Sequence, residues 1–223
     1  MVKSTDVSWF KREFAARIAT AVQGTPLMVD HIAAIALQET GYIWAPLQRK
    51  GLPTSRILEL CVGDTLDESR GRSAFPKSKA ELMAAPDGAA MFAIARQALV
   101  DMAEHIPDYQ PAARNPDKFC HGFGIFQYDL QFFRTDPQHF LQRKYADFDA
   151  ALARCVTELK RGLRTLGWTE KTSLTDFDAA CVAIAYNTGS FRPEKGLKQG
   201  HFSDGKFYGE MYSDYLKLAH SAA

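Results

Sequence analysis

Apolar residues recur at helical spacing along most of this chain, and the interruptions are rich in Gly and Pro. The spacing predicts a helix over Val7–Val22 that ends at Gly24, ahead of Thr25-Pro26. A second helix, rich in Ala and Ile, is predicted over Leu27–Glu39, with Thr40-Gly41 as its stop. From Tyr42 to Lys77 regularity fails, because Pro46, Gly51, Pro53, Gly63, Gly71 and Pro76 punctuate the segment. Helical spacing resumes at Ser78, pauses at Pro86-Asp87-Gly88 and runs on through Ala89–His105 to Pro107. Asp108–Gly124 is irregular again. Phe148, Leu152, Cys155, Leu159, Leu163 and Leu166 then mark one face of a long helix closed by Gly167-Trp168. Thr175–Tyr186 reads as a short apolar helix, capped by Thr175 or Asp176 and closed by Asn187-Thr188-Gly189. A last helix covers about Phe207–His220. Strands are few, with room for a small hairpin in Gly41–Gly63. There is no internal repeat or low-complexity tract. The expectation is a mainly α chain: one helical domain carrying a long loop-rich insertion.

Composition narrows the function classes. The 223 residues hold 27 Lys+Arg against 26 Asp+Glu, a formal net charge of +1. That balance argues against a chain-wide footprint for nucleic acid, which needs a basic excess or stripe. The apolar run Val29–Leu37 is short and interrupted by Asp30 and His31, so no membrane span is expected. The start, MVKSTDVSWFKREF, lacks the apolar stretch of a signal peptide. Four cysteines, Cys61, Cys120, Cys155 and Cys181, form no CxxC pair and have no His at zinc-finger spacing. Buried thiols are the favoured reading over a disulfide, and no metal is expected.

Three segments carry candidate chemistry. In Ile35–Tyr42, Glu39 is expected at the C-terminal end of an apolar helix. There both greasy surroundings and the negative end of the helix dipole favour its protonated form, as a general acid near neutral pH requires. In Gly122–Tyr128, alternating glycines allow close backbone approach, and Gln127 offers an amide to a ligand. In Ala183–Gly189, Tyr186 and Asn187 project a phenol and an amide from a helix end. Each segment also has a plain structural explanation: an exposed helix-end Glu, a loop turn and a helix cap.

Their order and combination resemble the lytic transglycosylase and goose-type lysozyme family of the lysozyme-like superfamily. That family pairs a helix-end Glu-Ser with a Gly-Leu-Met-Gln segment and an Ala-Tyr-Asn-Ala-Gly segment. This chain has Glu39-Thr40, Gly124-Ile125-Phe126-Gln127 and Ala185-Tyr186-Asn187-Thr188-Gly189. The resemblance covers about residues 27–41 and 119–215. Thr40 in place of Ser keeps a hydroxyl, and Ile125-Phe126 in place of Leu-Met keeps apolar bulk. The gap between Glu39 and Gly124 exceeds the family's usual gap, so residues 42–121 look like an inserted subdomain.

The resemblance implies a lysozyme-like helical domain that cleaves β-1,4 bonds of peptidoglycan glycan strands, as lytic transglycosylase or muramidase. Glu39 would protonate the glycosidic oxygen and then act as base, either on the sugar's own 6-hydroxyl or on water. Thr40, Gly124, Phe126, Gln127, Tyr186 and Asn187 would bind substrate. A hydrolytic version needs a second carboxylate, for which Asp64 is the first choice and Asp67 the second. Tyr42, Trp44, Phe123, Tyr128 and Phe191 are candidates to line a sugar groove. No cofactor is implied, and the partner would be peptidoglycan or a related N-acetylated glycan, met by a monomer outside the cytoplasm (periplasmic or secreted). A chitinase on N-acetylglucosamine polymers, a non-catalytic glycan-binding module and an unrelated helical protein with chance motifs are the competing readings.

Overall fold

A computed structural model describes residues 2–66 and 71–222. In chain order, its helices are α1 (Ser4–Ala21), α2 (Val29–Arg49), α3 (Thr54–Leu60), α4 (Lys79–Met83), α5 (Gly88–His105), α6 (Gln110–Arg114), α7 (Pro137–Leu141), α8 (Phe148–Thr165), α9 (Asp176–Thr188) and α10 (Tyr208–Ser221). The strands are β1 (Val62–Thr65), β2 (Cys120–Phe123), β3 (Tyr128–Asp129), β4 (Phe202–Ser203) and β5 (Lys206–Phe207). The chain is therefore mainly α. Among the described residues, no helix is long and apolar enough to cross a membrane.

The chain divides into two compact units, one of Met1–Gly41 with Leu152–Ala223 and one of Tyr42–Ala151; the divisions fall inside α2 and α8. Unit 1 is helical apart from the short β4–β5 hairpin. Its core holds Phe10, Phe14 and Ile18 of α1, Ile32 and Ile35 of α2, and Cys155, Leu159 and Leu163 of α8. Helix α9 is buried almost all round from Ala179 to Ala185. Helix α10 packs on α9 and α1. Gly209 permits the α9–α10 approach, since a Cβ there would lie 2.6 Å from Ile184 Cδ1. That contact, with an Asp176–His220 contact at the other end, makes the two helices antiparallel. The expected Thr175 cap is present: its hydroxyl accepts from Asp178 N–H, and Asp178 accepts in turn from Thr175 N–H.

Unit 2 is built on a three-stranded antiparallel sheet in the order β1-β2-β3, with Gly63 opposite Gly122 and Phe123 opposite Tyr128. Helix α5 packs on β1 and β2. An aromatic cluster backs the sheet: Phe123 against Phe140 and Tyr145, and Tyr128 stacked on Phe132.

Two sequence expectations need correction. Helix α2 does not stop at Thr40-Gly41 but runs on to Arg49 with Pro46 inside it. Ile43, Trp44, Ala45 and Leu47 are fully buried there, and their burial outweighs local stop signals. The small hairpin for which Gly41–Gly63 left room does not form; β1 pairs instead with β2, far along the chain.

Candidate functional site

In unit 1 a carboxylate, two phenols and a thiol converge. The Tyr208 hydroxyl donates to Glu39 Oε1 at 2.7 Å. Tyr208 stands at the first turn of α10 and is almost fully buried. Burial raises its phenol well above the ordinary range, and the charge of Glu39 and the hydrogen bond to it add to the effect. Tyr186, in the last turn of α9, is raised in the same way, by burial first and then by the charges of Cys155 and Glu39. Its hydroxyl is hydrogen-bonded with the Cys155 thiol of α8. Cys155 is itself raised by burial and by Glu39. Both phenols and the thiol therefore stay protonated at neutral pH, and Tyr208 meets the acid as a neutral donor.

Because α2 continues, Glu39 lies ten positions before the helix end at Arg49. Glu39 therefore lies beyond the reach of the negative helix end, whose effect fades within the terminal turn. Thr40 is fully buried, and its hydroxyl turns back toward the Ala36 carbonyl at 3.5 Å. Asn187 is exposed at the end of α9.

The other sequence candidates belong to unit 2. Gly124 and Gln127 bound the β2–β3 turn, both with positive φ, at +77° and +52°. Gln127 Nε2 donates to the Gly124 carbonyl at 3.0 Å. Its Oε1 is buried and has no hydrogen-bond donor among the described residues. That oxygen lies against the sheet where two glycines face each other: an added Cβ would come within 2.2 Å of it at Gly122 and 2.8 Å at Gly63. Both positions must be bare for the amide to lie there. Phe126 is buried against Phe148. Asp64 is exposed on β1 with φ +50°. Asp67 lies outside the described residues.

Beside Gly63, the hydroxyls of Tyr42 and Tyr109 meet at 2.7 Å. Burial pushes Tyr109 up to about 12, and Tyr42 rises as well. Tyr42 is half exposed, whereas Trp44 and Phe123 are buried; these two belong to the core rather than to a groove lining. On the β2–β3 hairpin, Asp129 is paired with Arg72 and with His121 Nδ1 at 3.0 Å. Burial opposes its charge, but the bonds from His121 and Arg72 prevail and hold the carboxyl below its ordinary 3.8.

The sequence reading missed Tyr208, Tyr109 and the Arg72–His121–Asp129 cluster. Each is brought into place by long-range packing, and a single sequence carries no local signal of that. Comparison of the chain with protein-family models, curated proteins and solved structures returns no match.

Proposed function

We propose that this protein cleaves β-1,4 glycosidic bonds of peptidoglycan glycan strands, with Glu39 as general acid and then base. The observation that carries the reading is the 2.7 Å hydrogen bond from buried Tyr208 to Glu39 Oε1, in a cluster that also contains Tyr186. A proton-transferring carboxyl must be held in one orientation, and neutral donors do that without pinning it in the ionised form as a cation would. Glu39 gives its proton to the glycosidic oxygen as the C–O bond breaks. Positive charge then develops on the sugar ring, and the neighbouring acetamido group offsets it. Glu39 next takes a proton from the attacking hydroxyl. If that is the sugar's own 6-hydroxyl, the product is a 1,6-anhydro end and no second carboxylate is needed. If it is water, the product is a reducing end and a second carboxylate is needed. Tyr186 and Asn187, which share the unit of Glu39, are the proposed substrate-side residues, and the glycan would be met outside the cytoplasm.

The test is zymography on purified cell wall and on chitin, with wild type beside Glu39→Gln and mass analysis of the ends released. Wall clearing that disappears in Glu39→Gln supports the reading. Clearing of chitin alone moves the substrate to N-acetylglucosamine polymers. Glycan binding without turnover makes the chain a binding module, and neither binding nor turnover removes the proposal.

A further inference from the structure

Away from Glu39, the last turn of α10 meets the first turns of α2 and α9 in a ring of charge. His220 Nδ1 lies 2.8 Å from Asp30 Oδ2 on α2, and its Nε2 lies 3.2 Å from Asp176 Oδ1 on α9. From α1, Lys11 Nζ holds the other Asp30 oxygen at 2.8 Å and donates to the Ala219 and Ala222 carbonyls at the end of α10. His31 of α2 faces the same ring of charge; its Nδ1 accepts from Met28 N–H at 3.1 Å. Burial, with the charge of His220, pushes His31 down to about 4, so it is neutral wherever His220 titrates.

We propose that protonated His220 is a pH-operated clasp that ties the end of α10 to the start of α9. An imidazolium donates from both ring nitrogens, whereas the neutral ring donates from one. With a carboxylate on each side, losing the proton turns one of the two bonds into a lone pair facing an anion. The bond that opens is the one to Asp176, which is longer and whose side chain is 60% exposed, against 23% for Asp30. Lys11 remains on Asp30 throughout, so the α2 end of the ring is held at every pH. The helix ends favour the closed state: both carboxylates sit at positive helix starts and His220 sits at a negative helix end.

Partial burial works against the charge on His220, but the hydrogen bonds to Asp30 and Asp176 raise it above its ordinary 6.5. A raised folded-state value means that the clasp's contribution to stability is complete below 6.5 and is lost as pH rises through the folded-state value. The experiment follows the His220 ring by NMR and the thermal midpoint of the full chain across roughly pH 5–8. The chains compared are wild type, Asp176→Asn and His220→Gln. In wild type, His220 should titrate above 6.5 and the midpoint should fall toward high pH. In Asp176→Asn the ring should titrate lower than in wild type, and the fall should flatten. His220→Gln should show no such fall; should it not fold, the near-isosteric Asp176→Asn carries the test alone. A wild-type ring that titrates at or below 6.5, or an Asp176→Asn midpoint curve parallel to wild type, overturns the clasp.

Discussion

In unit 1 the Glu39 carboxylate is met by a phenol, with a second phenol and a thiol close by. In unit 2 the Asp129 carboxylate is met by a guanidinium and an imidazole. The two environments differ in the charge of the donors they bring to the carboxylate. Arg72 and His121 hold Asp129 ionised, which suits a group that fastens the β2–β3 hairpin and caps the turn after it through Gln131 N–H. Tyr208 donates to Glu39 while bringing no charge of its own, which under the proposed function suits a group that gives up a proton and takes it back. Within one chain, one acid is held by a guanidinium and an imidazole, and the other by a neutral phenol.

The sharpest way to break this contrast is Glu39→Gln, which keeps the side chain's shape. Under the proposed function, turnover should fall by roughly 10²–10⁴-fold while the thermal midpoint stays near that of wild type. Retention of near-full activity on cell wall would sink the assignment. Tyr208→Phe removes only the donor, and a hydrogen bond to a charged group contributes about 1.5–3 kcal/mol. A rate loss of roughly tenfold or more is expected, read from initial rates on soluble glycan fragments. On the other side of the comparison, Arg72→Ala should leave turnover chemistry alone and lower stability by about 2 kcal/mol in urea unfolding.

The pH dependence of that last variant sharpens the comparison further. Asp129's folded-state value is depressed, so its contribution is present above 3.8 and is lost as pH falls through the lower folded value. Wild type should therefore lose stability in that acid window, and Arg72→Ala should lose less of it. Gly122→Ala probes the sheet of unit 2 itself. Its methyl would lie 2.2 Å from Gln127 Oε1, forcing the amide out at a cost of about 1–3 kcal/mol. The measurement is the urea midpoint, together with the amide resonances of Gln127.

The helices were legible wherever a buried stripe and its caps agreed. In α8, Phe148, Leu152, Cys155, Leu159 and Leu163 are all buried as their spacing predicts. Helix α9 begins at its Thr175 cap and ends with Gly189 at the C-cap, as the residues themselves indicate. The end of α2 was misread because Gly41 and Pro46 are local breakers, whereas the burial that overrides them comes from distant chain. The β1–β2 pairing was hidden for the same reason, since a strand of four residues carries little periodicity of its own. Of the Glu39 cluster, Glu39 and Tyr186 were visible as residues in a recognisable order. Tyr208 was visible only as the start of an amphipathic helix, and nothing local marks a tyrosine there as a partner of residue 39.

The division of the chain also bears on how it is made. Residues 42–151 are continuous, so all of unit 2 is synthesised before α9 and α10. Unit 1 must wait: Lys11 finds the Ala219 carbonyl only after 208 further residues have been added. The Glu39 cluster, which needs α8, α9 and α10, is therefore among the last parts to assemble during synthesis, and a stalled or nicked nascent chain would carry its acid without the phenols that orient it.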